Sequence, residues 1–152
     1  MAKKYLAGFD LRNGLDSAGV KSYPVGTTVN IAKGDMITLA AGYATLATSM
    51  VALTVGVAQH DANNSAGADG AIDVMVIPIL SKCSFRVPVE ANALITVAAV
   101  GTIVDLQTED GIDINDTSVT ANGFLIDAID VSTEAVAANA YGYAIGHFVA
   151  IT

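Results

Sequence analysis

The side chains able to do chemistry are few and far apart. His60 and Asp61 are adjacent, just after the apolar run Val55-Gly-Val-Ala-Gln, while His147 lies in a Gly-His-Phe triplet and Cys83 stands alone beside Lys82. Zinc asks for three or four ligands, usually with local spacings such as HxxxH or CxxC. The chain has neither spacing. A metal-dependent hydrolase would therefore need a site around His60 and Asp61, or one gathered in space from His60, His147 and Cys83. A histidine at the end of a strand serves more simply as a hydrogen-bonding group. Nucleophilic catalysis has little to start from: there is no GxSxG, Cys83 has no evident paired base, and AGADGA lacks the GK[ST] ending of a phosphate loop.

The densest acidic stretch, DLQTEDGIDIND over 105–116, holds Asp105, Glu109, Asp110, Asp113 and Asp116. Calcium favours several oxygen ligands, but the spacing is not that of an EF-hand loop. A hairpin turn of type I′ around Asp110-Gly111 accounts for the stretch without a metal. Whether it binds calcium is left open at this level, and no cofactor, metal or catalytic residue is assigned.

Charge is sharply divided along the chain. All seven basic residues precede residue 87, where six acids nearly balance them; nine acids and no Lys or Arg follow, giving a net charge of -8. Phosphate binding needs clustered cations, so nucleic acid is not an expected partner of the second half. With 53% hydrophobic residues and only 14% charged, the chain is apolar, yet no run approaches the roughly 20 residues of a membrane span. No membrane partner is expected. The segment MAKKYLAGFDL is too polar for a signal peptide's apolar region, so secretion is not expected. The single cysteine rules out an intramolecular disulfide.

The elements that would position these residues read as strands. Apolar and β-branched runs at 27–31, 35–40, 43–47, 54–60, 71–80 and 83–87 are separated by turn clusters such as AKG, AAG and DANNSAGADG. Similar runs follow at 94–97, 102–106, 112–114, 124–131 and 141–151. Short strands at this spacing predict an all-β fold, a compact sandwich or barrel with short helical turns at 47–52 and 132–138. Residues 1–26 carry no sustained period and are expected to form an extended N-terminal arm, with 27–152 as a single β-rich domain. Gly34–Leu39 and Gly101–Leu106 share a pattern, which strand-and-turn grammar explains as well as duplication does.

Three segments carry a resemblance to a known family. Ile31-Ala-Lys-Gly-Asp-Met-Ile-Thr-Leu39, Gly42-Tyr-Ala-Thr45 and Val55-Gly-Val-Ala-Gln-His-Asp-Ala62, followed by strands that lead to Arg86-Val-Pro-Val89, resemble the capsid decoration, or cement, proteins of tailed bacteriophages. The likeness covers about residues 27–106, and the segment 102–152 is longer and more acidic than the family's usual ending. The resemblance implies a non-enzymatic structural protein of the virion, made in the host cytoplasm. It would bind the major capsid protein on the outer surface of the head, stabilise the head against internal pressure, and form a homo-oligomer, a trimer by preference. In that reading the N-terminal arm contacts the shell through Lys3, Lys4, Tyr5, Phe9, Arg12 and Lys21. A receptor- or carbohydrate-binding β domain is the alternative, for which Tyr141, Tyr143, His147 and Phe148 form the compact aromatic group.

Overall fold

The computed structural model describes residues 8–13, 19–81, 83–90, 94–131 and 141–151. Among these the protein is all-β, with thirteen strands and a single 3-10 turn at Val97–Ala99. The strands are β1 Asp10–Asn13, β2 Lys21–Pro24, β3 Asn30–Ile31, β4 Met36–Ala40, β5 Tyr43–Leu46, β6 Thr54–Ala58 and β7 Ala62–Asn63. There follow β8 Asp73–Pro78, β9 Ser84–Pro88, β10 Ile103–Thr108, β11 Gly111–Asp113, β12 Asn122–Asp130 and β13 Tyr143–Ala150. A six-stranded sheet runs β1-β9-β13-β12-β10-β11 and a five-stranded sheet runs β2-β8-β6-β4-β5, with β3 and β7 as a separate pair. Every ladder between these strands is antiparallel.

Alternation along the strands builds two cores. Met36, Val57 and Ile77 of the five-stranded sheet meet Phe85, Val87, Val104, Phe124, Ile126 and Phe148 of the six-stranded sheet in the larger core. Their sequence neighbours Ile37, Ala58 and Val76 point the other way, into a second core with Val25, Val74, Ile31 of β3 and Ala62 of β7. The five-stranded sheet is thus apolar on both faces, and the small β3-β7 pair covers its far side. All four phenylalanines of the chain gather in the larger core, with ring centroids 5.2 to 6.2 Å apart in the pairs that include Phe9.

Several details differ from the sequence reading. The described part of 1–26 is woven into the body: β1 pairs with β9 at one edge of the six-stranded sheet, and β2 pairs with β8 at one edge of the five-stranded sheet. Phe9, expected to contact a shell, is 2% exposed and sits among the other phenylalanines. Burying its ring removes far more apolar area from water than an exposed arm could, which is why the segment is drawn inward. Residues 47–52 form bends rather than a helix, because their amides are taken elsewhere: Ala47 N–H by Met36 O at 2.9 Å and Met50 N–H by the Asp105 carboxylate at 2.6 Å. Residues 94–97 make no ladder; Ile95 N–H reaches Tyr141 O, after which the chain turns through Val97–Ala99. The expected helix at 132–138 lies outside the described residues.

Candidate functional site

The most polar buried region is where the two sheets are tied together near the start of β4 and the β10-β11 turn. Gly8 and Gly34 both adopt left-handed backbone, at φ 82° and 94°, which lets the segment before β1 cross the segment before β4 at close range. A Cβ on Gly8 would lie 2.9 Å from Gly34 O. The crossing is fastened by Phe9 N–H on Gly34 O at 2.8 Å, Gly8 N–H on Asp110 O at 3.0 Å and Met36 N–H on Glu109 O at 2.7 Å.

Five acids surround this joint. Asp35 is buried and accepts Ala32 N–H at 2.8 Å; burial, then the nearby Asp110, Glu109 and Asp61 carboxylates, push its carboxyl up to about 6, against the pull of the Ala32 bond. Glu90, just past β9, lies over the β10-β11 turn with its amide on Ile112 O at 3.1 Å. Burial and a hydrogen bond with Asp110 raise its carboxyl to about 7. Thr108 Oγ1 stands between them, 2.5 Å from Glu90 Oε2 and 2.7 Å from Asp110 Oδ1.

The turn itself corrects the type I′ expectation. β10 and β11 do form a hairpin, but Glu109 and Asp110 are its connecting residues and neither has the positive φ that type I′ demands. Gly111 opens β11 for a different reason: a Cβ there would fall 2.2 Å from Glu90 Cγ and 2.3 Å from Glu90 Cδ. The glycine makes room for the glutamate. Farther along, Asp105 is buried and its carboxylate accepts both Met50 N–H at 2.6 Å and Leu106 N–H at 2.7 Å, while Asp113 and Asp116 accept local amides in the following loop. The Ser118 hydroxyl and amide hold the exposed Asp116 carboxyl below its usual range.

The other suggestive residues are not brought together. His60 bridges two backbone groups: its Nε2 accepts Met75 N–H at 3.0 Å and its Nδ1 is 2.9 Å from Asp61 O, a geometry that suits the neutral Nδ1–H tautomer. Asp61 accepts Lys33 N–H at 2.7 Å. His147 pairs with Asp127 at 2.6 Å on an exposed part of β12 and β13. Cys83 is buried in the larger core. Among the described residues no group of three or more His, Cys, Asp and Glu is placed to hold a metal ion. Arg86 lies 4.1 Å from the centroid of the Tyr143 ring and 3.3 Å from Asp130, and burial raises the Tyr143 hydroxyl above its ordinary range.

The chain matches no family model, no curated protein and no solved structure. Its surfaces must therefore be read from the residues they present. Of the expected shell-contacting residues, Arg12 is exposed on β1 and lies 3.8 Å from Asp10, and Lys21 is exposed at the start of β2. Lys3, Lys4 and Tyr5 lie outside the described residues. The aromatic group near the C-terminal end is no platform: Tyr143 and Phe148 are both buried, and Phe148 belongs to the larger core.

The signal missed by sequence reading is a set of apolar side chains held in solvent. Val51 and Leu53 (61% exposed) stand in the loop before β6, beside the start of β12, where Asn122 donates to Val51 O at 3.3 Å. Leu80 (57% exposed) shares that end, because Ile79 N–H bonds Val55 O. Leu94, Val97 (76% exposed) and Val100 flank the turn that meets β12 at mid-strand, where Gly101 N–H bonds Ile126 O, and Val131 follows just past the end of β12. Length of exposure in a single loop is not visible in a pattern of apolar letters, so these residues read as core in the sequence.

Proposed function

We propose that the protein is a structural decoration protein of a phage head, binding the outer surface of the capsid through the major capsid protein. The observation that carries this reading is the exposure of two apolar groups, Val51, Leu53 and Leu80 around the start of β6, and Leu94, Val97, Val100 and Val131 around the turn that meets β12 at mid-strand and the residue just past its end. Exposed large apolar side chains mark surfaces that a partner covers. A clamp must hold two neighbouring subunits at once, and two separated contacts on a sandwich with two packed cores suit that task. The likeness of residues 31–62 to decoration proteins agrees with it, and the acidic surface of the second half would favour a polar or basic neighbour.

The burial of Phe9 sharpens the test, since deleting the whole of 2–20 would remove β1 along with any arm. Co-sedimentation with emptied, expanded heads of the virus that encodes the chain is the assay. Leu53→Asp and Val97→Asp should each lower the bound fraction while leaving the unfolding free energy from urea titration within about 0.5 kcal/mol of the parent, as surface changes do. Deletion of 2–7 alone measures what Lys3, Lys4 and Tyr5 add. A parent protein that stays in the supernatant at every concentration, or two Asp variants that bind as it does, would sink the reading. Mass photometry of the isolated protein decides whether the expected trimer forms before shell contact.

A further inference from the structure

We infer that Glu90, Thr108 and Asp110 form a proton-held latch at the joint between the two sheets, closed when the Glu90 carboxyl carries its proton and loosened when that proton is lost. The inference is independent of the capsid reading. It rests on counting hydrogens. Thr108 Oγ1 is within 2.5 Å of Glu90 Oε2 and 2.7 Å of Asp110 Oδ1, and a hydroxyl has one proton to give. Two such contacts require two protons: the Thr108 hydroxyl donates to Asp110 Oδ1, and the Glu90 carboxyl supplies the second by donating to Thr108 Oγ1. With both ionised, one oxygen pair would meet lone pair to lone pair.

The surroundings favour keeping that proton. Facing Glu90 from the β10-β11 turn are Asp110 and Glu109, and facing those two across the joint is Asp35 at the start of β4, with Asp61 beyond it. Lys33, near Asp35 in sequence, is exposed and its backbone amide binds Asp61, while Arg86, the base nearest Glu90 in sequence, pairs with Asp130 at 3.3 Å. Gly111 leaves the only kind of surface on which Glu90 can lie this close to the turn. The same turn holds both sheets: Asp110 O receives Gly8 N–H and Glu109 O receives Met36 N–H. Loosening it therefore acts on the start of β1 and the start of β4 together.

The direction with pH follows from burial. The Glu90 carboxyl sits at about 7 in the folded protein against an ordinary 4.5, so its contribution is complete below about pH 4.5 and is lost as pH rises through about 7. The first measurement is the carbon-13 titration of the Glu90 carboxyl in the full chain, which needs no variant. A midpoint more than two pH units above the ordinary value is expected; a midpoint near 4.5 overturns the latch. The second is amide exchange at Gly8 and Met36, each referred to a core amide, in the parent and in Glu90→Gln, whose amide can donate one hydrogen at any pH. Protection at both amides should fall between pH 5 and 8 in the parent and hold in the variant. Equal falls in the two proteins refute the coupling, and a variant that does not fold leaves the carbon-13 midpoint as the deciding result.

Discussion

Replacing Phe9 by alanine separates a core residue from an arm residue. Phe9 is 2% exposed, with its ring centroid 5.2 Å from Phe148, 5.6 Å from Phe124 and 6.2 Å from Phe85. The walls of its site come from strands β9, β12 and β13, which are cross-paired and cannot collapse into the space left behind. Truncating a buried phenylalanine under such conditions costs about 3–5 kcal/mol. For a chain of this size that is a fall in Tm of roughly 8–16 °C, taking about 4 kcal/mol at 2–4 °C for each. The chain has no tryptophan, so urea unfolding is followed by far-ultraviolet circular dichroism or tyrosine fluorescence. The m-value should stay near that of the parent, because the change creates a cavity and exposes no new element. Arg12→Ala, at an exposed ion pair of 3.8 Å, is the control and should lie within about 0.5 kcal/mol. A Phe9→Ala protein less than about 1 kcal/mol weaker than the parent, with reduced shell binding instead, would refute the packing argument.

Three further outcomes follow from single contacts. Asp105→Asn exchanges two charge-assisted bonds to Met50 and Leu106 amides for neutral ones, and should cost about 1–2 kcal/mol in urea unfolding at pH 7. Gly111→Ala drives a methyl into Glu90 and should cost about 1–3 kcal/mol, much of it recovered in the Glu90→Ala background, a coupling that a double-mutant cycle reads directly. Asp35, pushed up to about 6 by burial, adds stability that is whole below about pH 4 and is lost as pH rises through about 6. Asp35→Asn, which keeps an acceptor for Ala32 N–H, should therefore gain on the parent in urea midpoint from pH 4 to pH 8.

What was legible in the sequence was the strand grammar. Runs such as 35–40, 43–47 and 124–131 land on β4, β5 and β12 because alternation and turn residues are local signals. The shared pattern of Gly34–Leu39 and Gly101–Leu106 also has a counterpart: Gly34 and Gly101 both take positive φ, and β4 and β10 each form a hairpin with the edge strand that follows. The strands β1, β2 and β7 were not legible, because two to four residues, charged in β1, ending on a proline in β2 and only Ala-Asn in β7, become strands only through partners more than thirty positions away. The acidic joint was half visible. The stretch 105–116 stands out by composition, but nothing local says that Glu90 lies over Gly111 or that Asp35 closes the group from another sheet.

The pairing of β1 and β2 bears on the order in which the protein can be finished as it is made. Asp10 lies opposite Arg86 and Tyr23 opposite Val74, so the earliest described strands emerge from the ribosome long before their ladders exist. β9 in turn takes β13, the last strand, on its other side. Phe9 must therefore remain unpacked, an apolar ring on a nascent chain, until residues up to Phe148 have been synthesised and its full ring cluster can close. Assembly of the larger core thus waits for β13, and the interval before it is when the chain is most open to chaperones or to pairing with another copy of itself.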